Sequence, residues 1–156
     1  MINNFVFSID DIHESKIDHI LFCDKYIYVI MDKYYEGDLL GKHNDESFVM
    51  ITKDNKKFYT DNPTVFLKKL INNLCSVTGL PTSLIIGLIM VNNDCKMNIE
   101  SSSKQFFIVQ RKKMVKLVNM IETRDIPTMN EIQLANAVKA ISNINLRDKK
   151  KDLGKA

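Results

Sequence analysis

The sequence predicts a single α/β domain in which a mixed central sheet, beginning as an N-terminal antiparallel meander, is flanked by helices. Three features of the 156-residue chain support this fold class. Short runs of aromatic and branched residues fill the first half, a helical pattern follows Asn62, and residues 84–91 are apolar throughout. We therefore expect one domain over residues 1–146, followed by a charged, disordered tail at residues 147–156.

The meander is predicted from five short runs that are rich in aromatic and β-branched residues. These runs are residues 5–9, 17–23, 26–31, 48–52 and 57–60. Polar turn residues at 24–25 separate the second run from the third, and residues 53–56 separate the fourth from the fifth. Short turns join antiparallel neighbours, so an antiparallel meander is expected.

A helix is predicted next, because Asn62 can cap free N–H groups and Pro63 suits the first helical turn. Gly79 is placed to end this helix. The apolar positions between them have helical spacing. They are Phe66, Leu67, Leu70, Ile71 and Leu74. Residues 83–91 are then expected to form a central strand, because an uninterrupted apolar run suits a strand covered on both faces.

The last third of the chain alternates loop, strand and helix. Polar residues 92–104 predict a surface loop, residues 105–110 a strand, and residues 111–122 a helix. Thr128 and Glu131 match a capping box, which predicts a final helix after Pro127. Its expected apolar positions are Ile132, Ala135, Val138 and Ile141.

Composition excludes several classes of protein. With 45% hydrophobic and 26% charged residues, the chain resembles an average globular domain, and its longest apolar run is too short to span a membrane. Three separated cysteines and three scattered histidines match neither a disulfide framework nor a zinc site, which favours a reducing cytoplasm. The net charge of +3 permits nucleic acid or an acidic partner without requiring either.

Turn geometry fixes the pairing of the second and third predicted strands. If residues 24–25 form a two-residue hairpin turn, Cys23 lies opposite Tyr26. Continuing the same register places Asp18 opposite Met31.

This register also distributes the polar side chains at the strand end between two faces. Lys33 lies two residues beyond Met31 and projects from the same face as Asp18, so these three residues form a triangle. Asp32 has the opposite parity and points to the other face. His19 shares that other face, where we expect it to be packed or hydrogen-bonded rather than to bind a metal.

The run KIDHILFCDKYIYVIMDKYYEG at residues 16–37 resembles the nuclease-related domain (NERD), a branch of the PD-(D/E)xK nuclease superfamily. In that family an IDH-type strand precedes a strand ending in (V/I)E-x-K, an aromatic residue and a glycine. Residues 17–19 match the first element and residues 29–37 match the second. The resemblance continues through Asn62, Pro63 and the buried strand at 84–91 to the C-terminal helices. It implies a restriction-endonuclease-like fold.

The resemblance also implies a metal-dependent nuclease site at Asp18 and Lys33. In such sites two carboxylates hold Mg²⁺ or Mn²⁺, and a lysine positions the attacking water or stabilises developing charge. Met31 occupies the place of the second carboxylate. A neutral thioether is a poor ligand for a hard cation, so the resemblance implies a degenerate site in which Asp18 binds metal weakly or not at all.

Two further departures from the family pattern point the same way. The glutamate-bearing helix that usually precedes the first strands has no counterpart before Asp18, and Phe66 stands where a glutamine often follows the NP pair. Nearby acidic residues, namely Glu14, Glu36 or Asp38, could replace the missing carboxylate, which would leave an active nuclease.

Clustered basic residues indicate DNA as a partner if they converge on one face. Candidate phosphate-binding residues lie in three parts of the chain. They are Lys33 at the strand end, Lys68 and Lys69 on the first helix, and Arg111, Lys112 and Lys113 at the start of the second. The ordinary alternative is that these residues are solvated helix faces.

The sequence therefore predicts a DNA-associated, nuclease-like domain with weak or no phosphodiester cleavage. Mg²⁺ or Mn²⁺ is expected as a cofactor only if the domain is catalytic, and no membrane is expected as a partner. Two alternatives stay open. One is an active nuclease with a migrated carboxylate, and the other is an interaction module that binds a protein partner or forms a homo-oligomer.

Overall fold

The computed structural model describes residues 1–10, 12–101 and 103–147, and in these residues nine strands form two mixed sheets accompanied by three α-helices. The strands are β1 (Ile2–Ser8), β2 (Glu14–Phe22), β3 (Ile27–Lys33), β4 (Gly37–Lys42), β5 (Ser47–Thr52), β6 (Lys57–Asp61), β7 (Ile85–Val91), β8 (Met97–Glu100) and β9 (Phe106–Gln110). The helices are α1 (Pro63–Thr78), α2 (Met114–Glu122) and α3 (Glu131–Asn143). The predicted mixed α/β class, with an antiparallel N-terminal meander, is confirmed.

The first sheet has the strand order β1-β2-β3-β7-β9. Strands β1, β2 and β3 are antiparallel, whereas β3, β7 and β9 run parallel. Strand β7 lies inside this sheet and is buried along nearly its whole length, as its apolar sequence predicts. The carboxyl ends of three parallel strands therefore meet at one edge.

The second sheet has the order β6-β5-β4-β8, and it was not expected as a separate sheet. The predicted runs at 48–52 and 57–60 do pair with each other in antiparallel fashion, but they belong to the second sheet and not to the first. Strand β4 was missed, and β8 lies within the predicted loop 92–104. Gly37 and Gly41 weaken the strand signal of β4, yet Gly37 is needed because an added Cβ would lie 2.3 Å from the carbonyl oxygen of Ile51.

Two apolar clusters cover opposite faces of the first sheet. Leu67, Ile71 and Ile141 from α1 and α3 belong to the larger cluster, which also includes buried residues of the second sheet. Val118 and Ile121 of α2 pack in the smaller cluster on the other face. The alternation of side chains along β3 thus decides which residues meet α1 and which meet α2.

The ends of α1 are as predicted. The side chain of Asn62 accepts a hydrogen bond of 3.0 Å from the N–H of Thr64, and Gly79 has a left-handed φ of 76°. The apolar stripe differs at one position, because Phe66 is 55% exposed whereas Leu67 is fully buried. Helical spacing alone does not separate these neighbours.

The capping box of α3 lies two residues later than predicted. Asn130 accepts from the N–H of Gln133 at 2.8 Å, and the Gln133 side chain accepts from the N–H of Asn130 at 3.0 Å. The prediction of Thr128 and Glu131 was therefore wrong. Asparagine caps as well as threonine, so two overlapping signals were present.

The buried face of α3 is rotated relative to the predicted stripe. Ala137 and Ile141 are buried, whereas Ile132 is 73% exposed and Ala135 is also exposed. Residues 111–122 are helical as predicted, but Arg111–Lys113 form a 3-10 turn before α2 begins.

The predicted tail falls mostly outside the described residues, which end at Arg147. The guanidinium of Arg147 donates a hydrogen bond of 3.0 Å to the carbonyl oxygen of Asn3. In the described part of the chain, the helices are too short or too polar to cross a bilayer.

Candidate functional site

The predicted register of β2 and β3 is confirmed. Phe22 pairs with Ile27 and His19 pairs with Ile30, and the N–H of Cys23 donates to the carbonyl of Tyr26 at 3.0 Å. Alternate pairs in an antiparallel ladder exchange hydrogen bonds. Counting from Cys23 along β2, the next pair expected to do so after His19 is Ile17 with Asp32.

The ladder changes at that pair. The N–H of Asp32 donates instead to the carboxylate of Asp18, at 2.9 Å. On the other side of β2, the pairs Asn3–His19 and Phe5–Ile17 flank Asn4, whose φ of 53° is left-handed. Asp18 therefore lies where the regular hydrogen bonding of β2 is interrupted towards both neighbouring strands, β1 and β3.

The triangle of Asp18, Met31 and Lys33 is divided between core and solvent. The Asp18 side chain is 26% exposed, and one carboxylate oxygen lies 3.8 Å from the ammonium of Lys16. Met31 is 8% exposed and belongs to the larger apolar cluster, as expected for a methionine at the end of an apolar strand. Lys33 is exposed at the end of β3.

The opposite face carries a chain of three polar side chains. His19 Nε2 lies 2.8 Å from an Asp32 carboxylate oxygen, and His19 Nδ1 lies 2.7 Å from the side-chain oxygen of Asn3. The structure confirms that His19 is hydrogen-bonded and that Asp32 points away from Met31. Asp32 thus connects the two faces, through its N–H to Asp18 and its carboxylate to His19.

A pocket of about 370 Å³ lies at the carboxyl ends of the parallel strands β3, β7 and β9. It is lined by Asp32, Lys33, Tyr34, Asn92, Asn93 and Arg111. Ligands of open α/β sheets commonly bind beyond the carboxyl ends of the strands. Two basic side chains and one acidic side chain in this concavity make it suited to an anionic ligand.

Two asparagines that follow β7 shape this pocket. The Asn92 side chain accepts from the N–H of Tyr35 at 2.8 Å and donates to the carbonyl of Tyr35 at 2.9 Å. The Asn93 side chain accepts from the N–H of Lys112 at 2.8 Å. One asparagine therefore holds the chain after β3, and the other holds the start of the helical segment that carries Arg111. Sequence reasoning missed both, although an Asn-Asn pair directly after a buried strand is a usable signal.

The predicted basic residues converge only in part. Lys33 and Arg111 line one pocket, and Lys112 and Lys113 are exposed immediately after Arg111. The Lys68 ammonium instead lies over the Phe106 ring, 5.2 Å from its centroid.

Lys68 also acts on His43. Burial lowers the pKa of His43, and the positive charge of Lys68 lowers this pKa further. Lys69 is exposed on α1. The two lysines of α1 are therefore not part of the pocket that contains Lys33.

The acids considered as replacements for the missing carboxylate lie in different surroundings. Asp38 accepts from the N–H of Lys96 at 3.1 Å, at the junction of β4 and β8. Glu36 lines depressions beside β5, and Glu14 begins β2. In the parts of the chain that the structure describes, no three His, Cys, Asp or Glu side chains come close enough together to hold a metal ion.

Comparison of the chain with known proteins gives no relative, since no protein-family model, no curated protein and no solved structure matches it. The fold and the site define a mixed α/β domain with a cationic pocket at the carboxyl edge of its parallel strands. The resemblance to the nuclease-related domain stays a prediction from the residues quoted above.

Proposed function

We propose that this domain binds DNA through its phosphate backbone and cleaves it weakly or not at all. The observation that carries the proposal is the pocket shared by Lys33 and Arg111, two residues that are 78 positions apart in the sequence (111 − 33). Phosphate contacts supply most of the affinity of non-specific nucleic-acid binding. A concavity with two cations provides such contacts.

Neighbouring groups extend this interface. Lys112 and Lys113 follow Arg111 on the surface, where they can contact adjacent phosphates. Tyr34 lines the same pocket and is 71% exposed, so its ring is available for stacking on a base. This combination of cations and an exposed aromatic ring favours DNA over a small anion.

Weak cleavage is supported by the positions of Met31 and Asp18. Met31 stands at the expected acid position with its side chain in the core. The Asp18 carboxylate already accepts a hydrogen bond from the backbone and faces Lys16. In the alternative of an active nuclease, Asp18 and a second acid would hold Mg²⁺ or Mn²⁺, which would activate the attacking water.

The three cysteines are free, in keeping with our prediction of a reducing cytoplasm.

Fluorescence anisotropy with labelled single- and double-stranded oligonucleotides tests the binding. We expect affinity to fall with salt, and the logarithmic salt slope on duplex to decrease by about 0.9 for each phosphate contact removed. The double variant Lys33→Gln/Arg111→Gln should show this decrease, whereas Lys139→Gln, on α3, should match the wild type. Equal slopes for all three proteins, or no binding at low salt, would overturn the proposal.

Cleavage is measured on the same oligonucleotides with Mg²⁺ or Mn²⁺. We expect binding without efficient cutting. Metal-dependent cleavage that disappears in both Asp18→Ala and Lys33→Ala would instead establish the active-nuclease alternative.

A further inference from the structure

Strand β6 is an outer strand of the second sheet, and one side of its backbone is open. In the described part of the chain it pairs with β5 alone, in the order β6-β5-β4-β8. Beyond the two ends of this ladder, the N–H of Thr52 donates to the carbonyl of Lys56, and the N–H of Asn62 donates to the carbonyl of Glu46. In an antiparallel ladder every second pair of opposed residues is hydrogen-bonded. Between the Thr52–Lys56 and Glu46–Asn62 pairs, Phe58 and Thr60 therefore direct their backbone groups towards β5.

The backbone groups of Lys57, Tyr59 and Asp61 therefore point outwards. Among the described residues, no other segment hydrogen-bonds to them. Each residue presents one N–H and one C=O, so the edge carries three donors and three acceptors. An open edge of this kind is a template for pairing with another strand.

Strand β1, one of the two outer strands of the first sheet, has a partly covered edge. The N–H of Val6 in β1 donates to the side chain of Asn145, and the carbonyl of Asn3 accepts from Arg147. The chain after α3 thus covers part of the β1 edge. Within residues 1–10, 12–101 and 103–147, no segment covers β6 in a comparable way, and β6 also exposes two aromatic rings, with Tyr59 at 85% and Phe58 at 49% exposure.

We propose that β6 pairs with β6 of a second copy of this chain, antiparallel and about a two-fold axis at Tyr59. This places Tyr59 opposite Tyr59 of the other copy and Lys57 opposite Asp61 of the other copy. All three outward-facing residues then sit in hydrogen-bonded pairs, and three donors on each strand meet three acceptors on the other. Two four-stranded sheets become one continuous sheet of eight strands.

Charge complementarity selects a second copy as the occupant and fixes its direction. The strand reads KFYTD, with a cation at one end and an anion at the other. Antiparallel self-pairing brings Lys57 against Asp61 twice, and opposite charges on directly opposed residues stabilise a sheet. Parallel in-register pairing would place lysine beside lysine and aspartate beside aspartate. A shift by two residues in either direction would leave both Lys57 and Asp61 of each strand without the opposite charge.

The aromatic side chains add to the same arrangement. Lys57, Tyr59 and Asp61 project from one face of β6, so the two Tyr59 rings meet directly. Phe58 and Thr60 project from the other face, where Phe58 would lie opposite Thr60 of the second copy. Dimer formation would cover both exposed rings. This proposal does not depend on DNA binding, because β6 contributes no residue to the Lys33–Arg111 pocket.

Sedimentation equilibrium over a concentration series of the full chain tests the pairing. We expect the wild type to dimerise, and Lys57→Asp and Asp61→Lys each to raise the dimer Kd by about tenfold or more, since each creates two like-charge pairs. The double swap Lys57→Asp/Asp61→Lys restores both pairs and should return the Kd close to the wild-type value. Lys139→Asp is the matched charge control and should leave dimerisation unchanged.

A second variant tests the backbone contacts. Tyr59→Pro removes an outward N–H that β5 does not use, so the monomer should fold while the dimer is lost. Tyr59→Thr keeps this N–H and should retain a weaker dimer. Circular dichroism and thermal melting identify any variant that fails to fold. If Tyr59→Pro does not fold, the charge-swap variants at exposed positions provide the test of the pairing.

Three outcomes would overturn the proposal. One is a wild type that stays monomeric at the highest concentration. The second is single charge swaps that dimerise like the wild type, and the third is a double swap that fails to recover.

Discussion

The carboxylate of Asp18 accepts a hydrogen bond of 2.9 Å from the backbone N–H of Asp32, and so takes the place of the Ile17 carbonyl in the antiparallel ladder. The side chain of a candidate metal ligand is thereby part of the sheet. Its structural and chemical roles can be separated by substitution.

Asp18→Ala is expected to destabilise the protein, because it leaves the N–H of Asp32 without this acceptor. The loss should be about 1–2 kcal/mol, as for other hydrogen bonds to charged groups at a partly exposed site. Asp18→Asn keeps an acceptor oxygen and should lose less. Urea denaturation at neutral pH measures both, and equal stabilities of Asp18→Ala and the wild type would contradict this role.

Met31→Glu is expected to create a metal-binding pair with Asp18 at the cost of stability. Met31 is 8% exposed, so a carboxylate there should cost on the order of 1–3 kcal/mol without metal. Mn²⁺ should raise the melting temperature of this variant, since a ligand that binds only the folded state stabilises it.

Met31→Gln is the matched control, because it has the same size and no charge. Calorimetry should detect Mn²⁺ binding to Met31→Glu and not to Met31→Gln. Equal Mn²⁺ affinities for the two variants would contradict the alignment of Met31 with the metal-binding acid.

Acidification should destabilise the protein through His43. Burial, followed by the charge of Lys68, lowers the pKa of folded His43 below its ordinary value of 6.5. Below pH 6.5 the unfolded chain therefore binds a proton that the folded protein does not, and stability falls until the pH reaches the lowered pKa.

Denaturation between pH 7.5 and 5 measures this dependence, a window set roughly by the ordinary histidine pKa. His43→Gln should remove the contribution of this residue. Lys68→Gln should reduce it, whereas its exposed neighbour Lys69→Gln should not. Identical pH profiles for the wild type and His43→Gln would show that the residue does not contribute.

Gly87→Ala is expected to disturb the contact between α1 and β7. An added Cβ would lie 2.7 Å from the Phe106 ring and 2.8 Å from a methyl group of Leu67. Overpacking of this kind should cost about 1–3 kcal/mol.

A double-mutant cycle with Leu67→Ala tests the origin of that cost. Removing the leucine side chain gives space to the new methyl group, so Gly87→Ala should be less destabilising in the Leu67→Ala background. If the losses of stability in Gly87→Ala and Leu67→Ala simply add in the double variant, the side chain of Leu67 does not clash with the added methyl group.

Local signals predicted much of the first sheet and of α1. The two-residue turn at 24–25 fixed the pairing of β2 with β3, because a one-residue shift would exchange the two faces. It therefore also placed Asp32 and His19 together on the face opposite Met31. Asn62 and Gly79 marked the ends of α1 because capping is decided by a residue and its immediate neighbours.

Other predictions failed where two signals were locally equivalent. Asn130 rather than Thr128 caps α3, and Phe66 is exposed while its neighbour Leu67 is buried. In both cases the packing of the helix against the rest of the fold selects between positions that the pattern treats alike.

The sequence by itself determined the mixed α/β class, the β2–β3 register and the boundaries of α1. Tertiary structure alone decided the division into two sheets, because β4 and β8 carry weak strand signals and form by pairing with each other across 58 positions, as in the pair of Leu39 with Met97 (97 − 39). It also brought Lys33 and Arg111 into one pocket. The physical reason is that capping and turn geometry depend on neighbouring residues, whereas sheet partners and pockets depend on which distant surfaces bury the most apolar area together.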